Sequence, residues 1–486
     1  MDDMFNRFWK RAIYALAPLL CLSFAFFARA KPPLIAYIAY ADAEPILKQL
    51  NEILPAELRA VPPARQSAIW GSWVARDDRE IRARLIQGDE DSLVNFLAFG
   101  TSYTLQPRIS TVQLAELNQA EVLNNLELQN SSLMNTLRAR IKDLIKAMLT
   151  PGTNERVLFA RQLIASQKHF NLNTPAGRGQ IEHFLLQSVA RVLSEHAAYA
   201  KVLESARLLG DPSEEFAERS RLYRTRGLSS DTSLLPNFAI EESLKQIKAR
   251  GILSDGVKRV AVIGPGLDFT DKQEGYDFYP QQSIQPFAII DTLLRLGLAR
   301  ADALEVTTFD LSSRVNDHLA RARERAQHGQ GYVVQLPRDL QASWKPEAIS
   351  YWERFGDQIG QAVAPVAIPE SVGQLKSRAV RIRPALVGRV SPVDANIILQ
   401  RLDLLVGERF DLIIATNIFV YYDTFEQSLA LKNVEQMLRP GGLLLSNNAL
   451  LELPSSRVHS IGYSTVVYSD RENDGDHVVW YKRATD

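Results

Sequence analysis

The chain contains 486 residues, of which 46% are apolar and 23% charged, a composition typical of folded globular proteins and unlike that of disordered chains. Its length suits two to four domains. Lys and Arg together number 56, as do Asp and Glu, so the protein has no overall basic field and nucleic acid is a disfavoured partner. Cys21 is the only cysteine, which excludes disulfides and cysteine metal sites from the remainder of the chain.

Residues 1–30 have the pattern of a signal peptide or a signal anchor. Arg7, Lys10 and Arg11 precede an uncharged run over residues 12–28, and small residues follow at its end. The run is short for a membrane-spanning helix and contains a proline. We therefore expect a membrane-associated or exported protein, with membrane association through residues 12–28 if the segment is not cleaved. An apolar N-terminal helix of a cytosolic protein is the third alternative.

The next part of the chain is predicted to be mainly helical. Apolar residues recur at helical spacing over 43–54 and 76–100, and longer amphipathic stretches cover 111–149 and 179–210. We interpret these stretches as a bundle that packs on the following domain, or alternatively as a surface for a partner. The predicted divisions are a helical segment over 31–110 and a helical region over 111–238.

Residues 239–486 are predicted to form an α/β domain, because strands and helices alternate after a loop at 224–238. The fold class is a mostly parallel seven-stranded sheet with an antiparallel terminal hairpin, preceded by the mainly α-helical region. Residues 335–390 are less regular and are interpreted as an insertion or lid. The predicted strands are 259–264, 304–310, 410–417, 443–448, 463–469 and 476–483, and the predicted helices are 239–251, 285–299, 312–327 and 425–438.

The first predicted strand ends in two glycines, Gly264 and Gly266, at the edge of the sheet where open α/β folds bind ligands. A dinucleotide-binding fold has a third glycine, and Phe269 stands in its place. No phosphate loop with Gly-Lys-Ser/Thr occurs in the chain. Asp310 ends the second strand, where a carboxylate can accept hydrogen bonds from ribose hydroxyls. This carboxylate is compatible with either NAD or S-adenosylmethionine.

The terminal hairpin, from "YSTVVYS" to "DHVVWYKR", favours S-adenosylmethionine over NAD, because a dinucleotide-binding fold normally ends in another parallel crossover. From residue 240 to the end, the sequence resembles the class I S-adenosylmethionine-dependent methyltransferases. The stretches that carry the resemblance are "VIGPGLD", "FDLIIATNIFVYYD" and "MLRPGGLLLSNN". Within that class, "NIFVYYD" and "QPFAIIDTLLRLG" look like segments of the chemotaxis-receptor glutamate methyltransferases. Val262 departs from the pattern, which usually has an acidic residue at that position.

The resemblance implies S-adenosylmethionine as cofactor and a set of residues around it. Each residue also has a structural explanation: a tight turn for the glycines, a helix cap for Asp310, a turn for Asp268, a loop cap for Asn417 and packing for the tyrosines. The predicted cofactor-binding residues are Gly264, Gly266, Asp268, Asp310 and Asn417, and the predicted substrate-pocket residues are Tyr421 and Tyr422.

The sequence thus predicts a methyltransferase acting on an unidentified acceptor, a small molecule or a protein; the subfamily resemblance implies a protein carboxylate. No catalytic base is assigned, and the histidines show no metal-binding spacing. One alternative is a non-catalytic envelope or interaction protein built on a degenerate methyltransferase fold, because an exported chain would leave the compartment that contains the cofactor. A nicotinamide-dependent enzyme is the third hypothesis.

Overall fold

A computed structural model describes residues 34–109, 113, 131–209, 223, 226–253, 256–269, 276–372, 374–471 and 474–485. The predicted signal segment lies outside these residues. Among the residues described, no helix has both the length and the apolar character needed to cross a membrane.

A seven-stranded sheet forms the centre of the C-terminal part. From one side to the other its order is β11, β12, β10, β9, β2, β3 and β7. Five strands of this sheet, β2, β3, β7, β9 and β10, run parallel to one another. Strands β11 and β12 form the antiparallel hairpin at one side. The predicted fold class is confirmed. The strands are β2 (Arg259–Ile263), β3 (Glu305–Asp310), β7 (Val390–Asp394), β9 (Phe410–Ala415), β10 (Leu438–Ser446), β11 (Val458–Val467) and β12 (Gly475–Arg483).

Helices cover both faces of this sheet, because strands buried on both faces need apolar partners on both. One face packs on α7, α8 and α9, and the other on α1, α3 and α12. The helices of the first face are α7 (Leu235–Ala249), α8 (Gln285–Arg295) and α9 (Ser313–Gln327), and those of the second are α1 (Tyr40–Gln49), α3 (Pro63–Phe99) and α12 (Thr424–Met437).

The start of the described chain belongs to the α/β domain and is not an independent helical segment. Strand β1 (Ile35–Tyr37) pairs with β8 (Gln400–Leu402), and α1 packs on α12. The sequence analysis did not predict β1, because three residues are too few to show a period. A one-turn helix, α2 (Ala56–Arg59), joins α1 to α3.

A second small sheet, in the order β4, β6, β5, occupies most of the predicted insertion. It packs on the helices of the first face, where the rings of Tyr332 and Phe287 lie 4.9 Å apart. Buried Glu241 accepts a hydrogen bond from Arg354 and so ties α7 to the insertion. The elements of the insertion are β4 (Tyr332–Asp339), α10 (Pro346–Arg354), β5 (Gly360–Val363), β6 (Leu375–Ile382) and α11 (Pro384–Val387).

A helical bundle has its own apolar core, to which the end of α3 contributes. Phe269, from the loop after β2, is buried in that core against Phe159. Arg156 of the bundle is also buried and donates hydrogen bonds to the carbonyls of Phe269 and Tyr279. The bundle therefore holds the chain on both sides of the segment that follows the glycines. Its remaining helices are α4 (Ser132–Leu149), α5 (Glu155–Gln162) and α6 (Pro175–Leu209).

Candidate functional site

A cleft of about 910 Å³ opens at the carboxyl ends of the central strands. It lies at the end of β2, whose neighbours in the sheet are β9 on one side and β3 on the other. The strand order reverses at this point. Open α/β sheets bind ligands at this topological switch point.

The glycine loop forms the floor of the cleft. Gly264 and Gly266 have φ angles of +64° and +65°, a left-handed conformation that other residues adopt at a cost. The Gly264 amide donates to the Phe309 carbonyl at 2.8 Å. A Cβ on Gly264 would lie 2.1 Å from the side chain of Ile418, and one on Gly266 would lie 2.7 Å from the Ser230 carbonyl oxygen. The backbone conformation favours glycine at both positions, and at Gly266 the fixed Ser230 carbonyl adds a packing requirement.

Asp310 lies at the end of β3 beside the glycine loop, and it is only 8% exposed. Its Oδ1 accepts the Ser312 amide at 2.8 Å, and the Gly266 amide also donates to the carboxylate. Burial raises the pKa of Asp310 to about 6, although these two amides and Arg314 oppose the shift. The carboxylate thus closes a local turn while also lining the cleft, and the N-cap of α9 is Ser312 and not Asp310.

Asn417 lines the opposite side of the cleft, directly after β9. It is one of two described non-glycine residues with positive φ, at 57°. Its amide donates to Asn447 Oδ1 at 2.7 Å, and Asn447 Nδ2 returns a hydrogen bond to Asn417 Oδ1 at 2.7 Å. The two asparagines hold each other in place, which explains how the strained backbone persists. Deeper in the cleft, buried Gln285 donates to Thr416 Oγ1 at 2.8 Å.

Both predicted tyrosines line the cleft. The ring of Tyr421 meets that of Tyr223 edge-on at 5.3 Å, and its carbonyl accepts from Arg84 at 2.9 Å. Burial raises the pKa of Tyr421 to about 12 and that of Tyr422 still higher. Neither phenol is therefore a base at neutral pH.

Asp268 was predicted to face the cofactor, but the structure places its side chain outside the cleft. Its Oδ2 accepts from the Tyr279 hydroxyl at 2.8 Å and from Gln282 Nε2 at 2.9 Å. It lines a separate cavity of about 420 Å³ beside Arg338 and Trp344 of the insertion. The main chain explains this orientation, because Leu267 pairs with Ser230 on one side while Asp268 pairs with Gln282 on the other.

The segment 228–233 covers part of the cleft, a role that the sequence analysis missed when it treated 224–238 as a boundary loop. The Leu267 amide donates to Ser230 O at 2.7 Å, and the Thr232 amide donates to Leu267 O at 3.1 Å. Asp231, which lies between Ser230 and Thr232 in the chain, lines the cleft and is 9% exposed. Ser92 of α3 donates to its Oδ2 at 2.9 Å. The contact joins segments remote in sequence, so no local pattern signals it.

Comparisons with known proteins were made at three levels. No protein-family model and no curated protein matches the chain. Among solved structures, the N-methyltransferase NodS from Bradyrhizobium japonicum shares 13% identity with a TM-score of 0.24, over 50% of this chain and 97% of that one. The magnesium protoporphyrin IX methyltransferase ChlM from Synechocystis, with S-adenosylmethionine bound, shares 10% identity with a TM-score of 0.24, over 51% and 79%. The fold assignment rests on the strand order of this chain.

Six of the seven predicted site residues are thus brought together, and Asp268 is the exception. The cleft offers backbone polar groups at the glycine turn, the carboxylates of Asp310 and Asp231, and amides from both sides. Within the described residues, no group of His, Asp or Glu side chains could hold a metal ion. The arrangement places two carboxylates beside a glycine turn that offers backbone polar groups.

Proposed function

We propose that the protein transfers a methyl group from S-adenosylmethionine to an acceptor that enters the same cleft. The observation that carries this proposal is the meeting of the Gly266 backbone and the Asp310 carboxylate at the switch point of a sheet with this strand order. A ribose diol is the natural partner of such a carboxylate. The cleft is lined on one side by Tyr421 and Tyr422, where an acceptor would lie beside the cofactor.

The residues of the cleft fit this cofactor. Asp310 would accept the ribose hydroxyls, and the turn from Gly264 to Gly266 would let the backbone approach closely. When bound, the cofactor supplies an electrophilic methyl group on a sulfonium. The chain contributes position and exclusion of water, which account for much of the rate of such a transfer. The raised pKa values of Tyr421 and Tyr422 keep both phenols protonated, so the acceptor must arrive in its nucleophilic form.

Asp231 fits the role that Asp268 was predicted to have. The usual acidic residue of the glycine loop is absent, since Val262 occupies its position inside β2. Asp231 restores a negative charge beside Gly266 from a different segment, because its backbone bridges to Leu267. A carboxylate there would accept a hydrogen bond from the α-ammonium group of S-adenosylmethionine.

Replacing Asp231 with Asn is expected to weaken S-adenosylmethionine binding by about tenfold or more, because a charge-assisted interaction is lost. 5′-Methylthioadenosine lacks the amino-acid group, so its affinity should not change. Calorimetry of the full-length protein with both ligands measures the difference. An equal loss for the two ligands would mean that Asp231 acts only through the structure of the cleft.

Calorimetric titration of the full-length protein with S-adenosylmethionine, and with NAD as control, tests the function itself. We expect micromolar binding of the former alone. A folded protein that binds neither ligand would refute the proposal and favour the non-catalytic alternative. Binding of NAD alone would favour the nicotinamide-dependent alternative.

The affinity should also depend on pH. Because burial raises the pKa of Asp310 to about 6, its ionised form predominates above that pH and its neutral form below. Ribose hydroxyls donate more strongly to the ionised carboxylate. We expect the dissociation constant to rise about tenfold between roughly pH 8 and pH 5. The dissociation constant of the Asp310→Asn variant should not show this pH dependence. If the variant and the wild type depend equally on pH, another group is responsible.

A further inference from the structure

We propose that the edge of the central sheet opposite the cleft lies on a membrane surface. We call this the basal edge and define it by four exposed apolar residues, Leu34, Ile35, Leu405 and Val406. The proposal is independent of the reaction that the cleft catalyses.

Two hydrogen bonds locate these residues. The Asp403 amide donates to the Leu34 carbonyl at 2.8 Å, which joins the N-terminal segment to the loop at 403–407. Arg259 donates to the Gly407 carbonyl at 2.6 Å. Arg259 is the first residue of β2, whereas the cleft begins at the last, so the loop lies at the amino ends of the parallel strands. The basal edge and the cleft are thus about 15 Å or more apart, the length of a five-residue strand.

Exposure of large apolar side chains is concentrated at this edge. Among the described residues, those exposed by more than 70% are Leu34 at 73%, Leu405 at 73%, Val406 at 71% and Leu105 at 98%. Three of these four residues belong to the basal edge. Single exposed apolar residues are ordinary, but a group of them indicates a contact surface.

The position of the apolar run identifies the occupant. Six positions separate Ala28, the end of the run, from Leu34, so the two lie within about 20 Å of each other whatever the path of the chain. The run has no charged residue over 17 positions, which is far more apolar surface than four side chains can cover. A bilayer accommodates both the run and the edge. The described part of the edge carries charges of both signs, with exposed Lys258 and Asp403, so the apolar side chains supply the attraction to the bilayer.

This orientation directs the cleft away from the lipid. Acceptors would then reach the site from the aqueous side, while the amino ends of the strands contact the headgroups. Leu405 and Val406 would enter the interface region next to the point at which the chain leaves the membrane.

The test uses the full-length protein with Cys21→Ser, so that a new cysteine is the only thiol. Val406→Cys and, as a matched control, Leu105→Cys are each labelled with an environment-sensitive dye. On addition of vesicles of phosphatidylcholine and phosphatidylserine, we expect a blue shift of the emission at position 406 and none at position 105. Because the apolar run can hold the protein on the vesicles by itself, the Asp substitution is read at the edge: Leu405→Asp should reduce the blue shift of the dye at position 406, and Leu105→Asp should leave it unchanged.

Three results would overturn the proposal. The protein does not float with the vesicles; it floats but the dye at position 406 does not shift; or the shift occurs without vesicles and grows with protein concentration. The last result would show that a second copy of the chain covers the edge.

Discussion

Asp310→Asn is expected to bind S-adenosylmethionine about a hundredfold more weakly than the wild type while unfolding at a higher temperature. The affinity falls because two hydrogen bonds from ribose hydroxyls to a charged acceptor are weakened. The stability rises because burial, which raises the pKa of Asp310 to about 6, destabilises the charged form in the folded protein. A pKa raised from 3.8 to about 6 corresponds to a cost of about 3 kcal/mol at neutral pH, which the neutral amide avoids.

The size of the stability effect depends on pH. The folded-state pKa lies above the unfolded one, so this cost is absent in acid, grows as the pH rises through the interval between them, and is constant above about 6. The advantage of the Asn variant should follow the same course in thermal unfolding. Asp302→Asn is a suitable control, because that side chain is 67% exposed. A destabilised Asp310→Asn protein would contradict this account of the site.

Gly266→Val is expected to abolish cofactor binding and to lower the free energy of unfolding by several kcal/mol. The residue has a φ of +65°, and a Cβ would lie 2.7 Å from the Ser230 carbonyl oxygen, a backbone atom that cannot move alone. The left-handed backbone alone costs about 1 to 2 kcal/mol for a residue with a Cβ. The clash adds to this cost by pushing the segment 228–233 off the glycine loop. Denaturant unfolding and calorimetry measure the two effects.

Gly329→Val separates the backbone cost from the clash. Gly329 also has a positive φ, +79°, and a Cβ there would meet no atom within 4 Å. The Gly329→Val variant should therefore lose only the part of the unfolding free energy that comes from the left-handed backbone, and it should keep its affinity for S-adenosylmethionine. Equal losses of stability in the two variants would show that the packing of Ser230 on Gly266 contributes little.

The sequence was informative about the sheet because buried strands and amphipathic helices are local patterns. Residues at the carboxyl ends of parallel strands, such as Asp310 and Asn417, necessarily meet at one edge, so their proximity followed from the order of elements alone. Asp268 lies apart from the other predicted site residues for a local reason. Successive residues of an extended chain point in opposite directions, and the pairing of Leu267 with Ser230 turns the next side chain away.

Contacts between remote segments were beyond such reasoning. Asp231 reaches the cleft because its segment pairs with Leu267 and because Ser92 of α3 holds its side chain. Neither contact leaves a trace in local composition. The same holds for β1, whose partner is in the last fifth of the chain.

The pairing of β1 with β8 also has a consequence for synthesis. Asp42 of α1 pairs with Arg401, 359 residues away. At a translation rate of about 5 to 20 residues per second, the first described segment leaves the ribosome roughly 20 to 70 s before its partner exists. During that interval Ile46 and Leu47, which are buried in the finished protein, have no native surface to cover them. A nascent chain of this protein is therefore expected to need a chaperone or a membrane surface at its N-terminal end before the sheet is complete.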